Sequence, residues 1–408
     1  MRVLMMVTPG AGHAYPMVPL AWALQSAGHE VLAASSGPGL LLGEAGVRCV
    51  DVAPGLSLAQ MQGKLAQNHP EVIARLNDDA LVPDYHQTIG IAVASALRLQ
   101  PDMVSAMIRT AEEWQPDLVI YSPLFTPGLV AAAKLKVPAV RNEFGLVRTD
   151  SSPELMRELH SDLFEAHGVD LPEVRATIDV TPPSMGTIEP GSWLMGTVPF
   201  NGGGTLPDGV FEYLARSRRD VPRIAVTFGS GPAPAETVQV VRNIVAAARD
   251  MDAEFVLATP TVDLKQFGTL PDNVKSVGWA PLVSLMGVSS AVIHHGGPGS
   301  AFGAIMSGLP QVIPAFGGLG RPLIIEAVVD RGLGVTAPPQ DIGRELLESV
   351  LADEAMKARA QAVREEILGL PTPGEIVGRL VDLVENSRGA TATSSASASD
   401  DVLGQNAV

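Results

Sequence analysis

Three short loops in this 408-residue chain combine glycine with groups that can move a proton or hold a phosphate. One, His294-His295-Gly296-Gly297-Pro298-Gly299-Ser300-Ala301, follows an apolar run and opens onto a helical pattern. Glycines let a backbone approach a phosphate, a helix amino end offers unpaired N–H groups and partial positive charge, and an imidazole donates to a phosphate oxygen. That is the composition of a diphosphate cradle; the plainer alternative is a tight strand-to-helix turn with a partly buried histidine. Another, Phe228-Gly229-Ser230-Gly231-Pro232, puts Ser230 and free amides where they can face the same phosphates, although such turns are common without a ligand. Pro9-Gly10-Ala11-Gly12-His13 lacks the full G-x-G-x-x-G spacing, so the N-terminal half is not expected to hold a dinucleotide. His13 can instead act as a general base toward a docked proton donor, or serve only as a surface or capping group.

Each loop needs a strand before it and a helix after it, and the chain supplies both. Arg2 to Val7 reads as a buried strand, and Met17, Leu20, Ala21 and Leu24 then recur at helical spacing up to Gly28. The unit repeats through strands at Glu30 to Ser35, Val47 to Val52, Asp117 to Ser122 and Pro138 to Glu143, with helices within Ile91 to Trp114 and at Gly128 to Lys136. Pro54 to Gly90 and Ser151 to Thr187 are less regular, as lids or acceptor loops are. The rhythm restarts with strands at Arg223 to Phe228, Glu254 to Thr259, Val274 to Trp279, Ala291 to His295, Gln311 to Pro314 and Gly334 to Ala337. Helices are read at Pro234 to Asp250, Gly299 to Ser307, Pro322 to Arg331, from about Asp341 to Leu368 and at Pro373 to Asn386.

Strands alternating with helices predict an α/β protein of two tandem, Rossmann-like, doubly wound parallel-sheet domains. The expected divisions are 1–200, a glycine-rich linker at 201–221, 222–388, and a disordered Ser/Ala/Thr-rich tail at 389–408. In such sheets ligands bind beyond the carboxyl ends of the strands, where all three loops lie.

Composition removes other classes. With 46% hydrophobic and 18% charged residues the chain fills a large core and is not a disordered protein. A net charge of −16, with no Lys/Arg cluster long enough to neutralise a row of phosphates, argues against nucleic acid. No run approaches the roughly 20 apolar residues of a membrane span, and Val3 to Val7 is too short for a signal segment. The single cysteine, Cys49, excludes a disulfide framework or thiolate metal site. A cytoplasmic protein acting on small molecules is the expectation.

Gly12-His13-Ala14-Tyr15-Pro16, Val277-Gly278-Trp279-Ala280-Pro281-Leu282 and His294 to Ser300 followed by Gly308-Leu309-Pro310-Gln311 together resemble the family 1 glycosyltransferases of GT-B architecture. The similarity is greatest to actinobacterial enzymes that put deoxysugars on polyketide and other natural-product aglycones, and it runs from residue 1 to about residue 386. The resemblance implies two domains facing each other across a cleft, with His13 as the base that takes the acceptor proton while the anomeric carbon inverts. It implies a donor site of Gly12, Ser230, Trp279, Ala280, His295, Gly297, Gly299 and Ser300, with the nucleotide base at Trp279 and Ala280. It further implies a nucleotide sugar, thymidine-based, as co-substrate, with no metal and no other cofactor. A homodimer and an auxiliary activator protein are left open.

Two departures matter. Where the family often has an acid orienting the histidine, this chain has Ser122, which can hold an imidazole tautomer but not stabilise an imidazolium; Glu143 is an alternative acid. Where members carry Asp-Gln toward donor hydroxyls, this chain has Gly320-Arg321, which fits a sugar with few hydroxyls, or else a salt bridge from Arg321. Tyr15, Met17, Met61, Phe125, Phe144 and Leu146 are the candidates for an apolar acceptor pocket, against plain core packing for each. Two other functions compete: a catalytically weak homologue serving as helper subunit of another transferase, and a sugar-nucleotide epimerase, which the absence of acids in these loops disfavours.

Overall fold

The computed structural model describes residues 1–76, 85–146, 152–186, 188–196, 198–206, 221–229, 234–316 and 321–403, with backbone alone at 85–86, 321–322 and 390–403. The N-terminal strands are β1 (Arg2–Met6), β2 (Glu30–Ser35), β3 (Arg48–Asp51), β4 (Leu118–Tyr121), β5 (Ala139–Asn142), β6 (Arg175–Asp179) and β7 (Trp193–Leu194). They form one parallel sheet in the order β3-β2-β1-β4-β5-β6-β7. In the second domain β8 (Arg223–Thr227), β9 (Glu254–Ala258), β10 (Val274–Ser276), β11 (Ala291–His294), β12 (Gln311–Pro314) and β13 (Gly334–Ala337) form a parallel sheet in the order β10-β9-β8-β11-β12-β13.

Both sheets are covered on both faces, and the two-residue period of the strands shows how. Val3 and Met5 enter one core while Leu4 and Met6 enter the opposite one. In the second domain Ile224 and Val226 face one core and Ala225 the other. Such strands read as continuous apolar runs because neither face meets water. In each sheet the winding reverses beside the first strand, between β1 and β4 and between β8 and β11. Ligands of open parallel sheets sit at these switch points. The glycine loops follow β1, β8 and β11, so all three lie there.

The two less regular stretches hold more structure than their composition shows. Helix Leu58–Asn68 starts on a Ser57/Gln60 capping box but buries only Met61 and Leu65, a stripe too thin to stand out among its polar residues. Pro70–Leu76, Pro153–Leu159 and Ser161–His167 are further helices, and β6 begins at an exposed arginine. The helix expected within 91–114 is two, Tyr85–Arg98 and Pro101–Trp114, because Pro101 starts the second. Likewise Asp353, whose carboxylate accepts from the Met356 N–H, starts Glu354–Leu368 after Arg344–Ala352.

The last helix, Pro373–Leu403, crosses back to the first domain. Its Ile376, Leu380 and Val384 share one core with Val18, Leu20 and Leu24, and Arg388 pairs with Asp117. Composition predicts disorder from residue 389, whereas the backbone stays helical to Leu403 through an alanine-rich segment free of Gly and Pro from Ala390. Most of the expected linker, 207–220, lies outside the described residues. No described helix is long and apolar enough to cross a membrane.

Candidate active site

The loop after β11 is built on His294. This buried ring accepts the Gly296 N–H at Nδ1 (3.2 Å) and donates from Nε2 to Gln311 Oε1 (2.8 Å), which fixes its tautomer. Burial pushes its pKa down to about 4, so the neutral ring that this pairing needs is the stable one. The loop then turns into helix Pro298–Met306, with Gly297 as its N-cap and Pro298 in the first turn. The proline removes no donor that the helix would use internally.

His295 lies over two glycines. A Cβ at Gly297 would stand 2.4 Å from His295 Nε2, and one at Gly229 would stand 3.2 Å from its Cε1. These glycines therefore make room for the imidazole as well as for any ligand. His295, Gly297, Gly299 and Ser300 line a cavity of about 210 Å³, together with Trp279 and Ala280 from the loop after β10. Trp279 is 48% exposed, with its ring at the cleft instead of in a core, because β10 stops at Ser276. Ser230 and Gly320 lie outside the described residues, and Arg321 is described only as the first residue of helix Arg321–Asp330. Among the described residues no three His, Cys, Asp or Glu side chains converge in the manner of a metal site.

From the first domain, Gly12 and Tyr15 line the same cavity. His13 sits in the short helix Ala11–Ala14 directly after β1, its ring meeting Phe144 edge-on at 4.8 Å. Burial pushes the pKa of His13 down to about 4, and its Nδ1 has no partner among the described residues. Ser122 does not orient it. The serine is fully buried; its Oγ accepts the Thr8 N–H at 3.1 Å and lies 3.5 Å from the Met6 carbonyl, so the hydroxyl staples the backbone of the β1–β4 switch point. Glu143 is held by Arg141 at 2.8 Å. The catalytic partnership expected of Ser122 is thus replaced by a structural one. A residue that sequence reasoning passed over, Asn142 at the end of β5, is fully buried with both amide atoms unpartnered among the described residues. Its one signal is an amide at the carboxyl, cleft-facing end of a strand, directly after Arg141.

The acceptor candidates divide. Tyr15 and Phe144 line an apolar cavity with Val180, Phe200 and Phe302. Met17, Met61 and Phe125 are core residues, at 1%, 3% and 0% exposure, and form no part of that wall. They stand near strand ends but face the helices that cover the sheet. Leu146 lines a separate cavity of about 510 Å³ against Leu323, Glu326 and Ala327 of helix Arg321–Asp330. Phe200 and Phe302 were not legible as pocket residues, because domain docking brings them there from the end of the first domain and from helix Pro298–Met306.

The buried histidines make stability depend on acidity. His160, whose Nδ1 lies 2.7 Å from Thr126 Oγ1, is 2% exposed and, like His294, is pushed by burial to a pKa of about 4. On unfolding, both regain a value near the ordinary 6.5. As pH falls through that value the unfolded chain takes up protons that the folded chain refuses until about pH 4. Stability is therefore full above 6.5 and falls below it, by about 3 kcal/mol per pH unit at full slope for the pair. The melting temperature is expected to drop steeply between pH 6.5 and 5, and less steeply in His160→Asn; equal slopes would contradict this.

Two doubly wound domains with glycine loops of both lining one cavity define the class, a GT-B glycosyltransferase. Profiles of the erythromycin biosynthesis protein CIII-like C-terminal and N-terminal domains match residues 242–383 and 22–229. The elloramycin glycosyltransferase ElmGT of Streptomyces olivaceus is 33% identical, covering 93% of this chain and 97% of its own. The 10-deoxymethynolide desosaminyltransferase of Streptomyces venezuelae is 30% identical, covering 95% and 98%. Among solved structures, the glycosyltransferase SnogD from Streptomyces nogalater has a TM-score of 0.78 at 32% identity, covering 94% and 99%. The glycosyltransferase VinC in complex with dTDP has a TM-score of 0.74 at 30% identity, covering 95% and 100%. The chain belongs to the EryCIII-like family of actinobacterial natural-product glycosyltransferases within family 1.

Proposed function

We propose that the protein transfers a deoxysugar from a thymidine diphosphate sugar to a hydroxyl of a large apolar aglycone, inverting the anomeric carbon and using no metal. One observation carries the reading: Gly12 beside His13 and the loop His295–Ser300 line a single cavity at two facing switch points. The acceptor O–H gives its proton to His13 as its oxygen bonds to the anomeric carbon, and the bond from that carbon to the diphosphate oxygen breaks. Negative charge grows on the departing diphosphate, where the helix amino end, the loop amides and His295 meet it. The exposed face of Trp279 suits a flat base, and the dTDP held by VinC supports thymidine.

The acceptor is set by two features. Tyr15, Phe144, Val180, Phe200 and Phe302 offer an apolar wall. A base as weak as His13 is matched better to a phenol, with a pKa near 10, than to an alcohol. Gly320-Arg321, in place of hydroxyl-binding side chains, fits a deoxysugar.

Incubation with thymidine diphosphate deoxysugars and a panel of phenolic polycyclic aglycones is expected to give glycosides by mass spectrometry, with inverted anomeric configuration by NMR and undiminished yield in EDTA. Retained configuration or loss of activity in EDTA would overturn the mechanism. The helper-subunit reading is favoured by the absence of a carboxylate bonded to His13 among the described residues. It gains if no donor and acceptor pair yields product although nucleotide binds.

A further inference from the structure

The segment that joins the domains lies inside the cleft. Phe200 packs edge-on against Tyr15 at 5.4 Å and Trp22 at 5.5 Å, both in the first domain. Two residues on, Gly202 is buried in the left-handed region at φ +94, where a Cβ would stand 2.9 Å from Trp279 Cζ2 and 3.2 Å from Tyr15 Oη. Only glycine fits that conformation and that approach. Asn201 is thereby held between Trp279 on one domain and Tyr15 of the apolar wall on the other.

Its side chain lies over the amino end of helix Pro298–Met306. Nδ2 is 3.5 Å from the Cβ position of Gly299 in the first turn, and Oδ1 is 3.7 Å from that of Gly303 one turn deeper. Oδ1 is buried and has no hydrogen-bond partner among the described residues. With the carbonyl end turned toward the helix body, the NH₂ end is the one nearer the diphosphate loop, and Asn201 lines both the cavity of His295 and that of Phe144 and Phe302. At both helix positions a Cβ would stand at ordinary van der Waals distance from the carboxamide, so the Asn201 side chain is seated directly on the first two turns of the helix.

We infer that Asn201 is a donor-recognition residue, whose Nδ2 donates to the diphosphate at the amino end of helix Pro298–Met306; this rests on the nucleotide-sugar reading above. The domain connection is then itself part of the donor site. A ligand held there also fixes Phe200, and with it one wall of the acceptor cavity. No loop motif marks Asn201, since only the docking of the two domains brings it to the phosphates.

Calorimetric titration of the full chain with thymidine diphosphate and with thymidine tests this. Asn201→Ala is expected to weaken the diphosphate about tenfold or more, as loss of a hydrogen bond to a charged group does. Asn201→Asp, nearly isosteric, is expected to weaken it further, because a carboxylate then faces the phosphates. Thymidine affinity and the melting temperature of the free protein should stay close to wild type in both. Unchanged diphosphate affinity in both variants, with His295→Ala weakened, would overturn the role of Asn201 alone. Equal losses for thymidine and its diphosphate would overturn the phosphate contact. Failure of the wild type to bind the diphosphate would overturn the donor reading on which the inference rests.

Discussion

Replacing His13 by alanine is expected to lower kcat by about 10²- to 10⁴-fold, the usual worth of a positioned general base, while thymidine diphosphate binds as before. The imidazole lies in the first domain beside Phe144, whereas the His295–Ser300 loop, the proposed diphosphate site, is built from the second, so the two effects are separable. Burial keeps the ring neutral, and its pKa of about 4 means that it is ready to accept a proton throughout the neutral range. The acid limb of kcat/KM in the wild type is accordingly expected below the ordinary imidazole value of about 6.5, and it should disappear in the variant. The sign follows from the low value: activity rises with pH as His13 loses its proton and is level above. A limb centred near 6.5 would mean that the ring is solvated during catalysis. A variant as active as wild type would remove His13 from the mechanism and assign the base to another group.

The second large effect is expected at His295. Its ring rests on Gly297 and Gly229, so truncation to alanine leaves no side chain able to replace it. The loop itself is held independently, through His294 and Gln311. His295→Ala is therefore expected to fold normally and, on the proposed mechanism, to lose what the imidazole gives the leaving group. Loss of one donor to a developing oxyanion costs about 10²- to 10³-fold in kcat. The KM for the donor should rise as well if, as proposed, His295 meets the diphosphate already in the bound donor. A fall in kcat/KM confined to the acceptor would place His295 on the wrong substrate.

The sequence showed most clearly what depends on local pattern. β2, β12 and β13 fall where continuous apolar runs place them, and the glycine loops announce the switch points because chain reversal and phosphate approach need the same residue. β6 was hidden because its first residues are Arg175 and Ala176, with only Ile178 and Asp179 fully buried. Ser122 was misread because a hydroxyl at a strand end looks the same whether it serves an imidazole or the Thr8 amide. Met17, Met61 and Phe125 were misplaced for a related reason: apolar side chains near strand ends face inward or toward the cleft according to helix docking, which spacing does not encode. Phe200, Asn201 and Phe302 converge across the domain boundary, so no segment read alone contains them.

A thermal-shift titration of the full chain with thymidine, uridine and guanosine diphosphates tests the proposed donor site directly. A ligand that binds only the folded state raises the midpoint by mass action, by about 2.7 kcal/mol of stability at one hundred times its Kd. Thymidine diphosphate is expected to give the largest rise, and the rise should shrink sharply in His295→Ala. A midpoint unmoved by all three nucleotides, or moved equally in the wild type and the variant, would contradict the assignment of the His295–Ser300 loop as the diphosphate site.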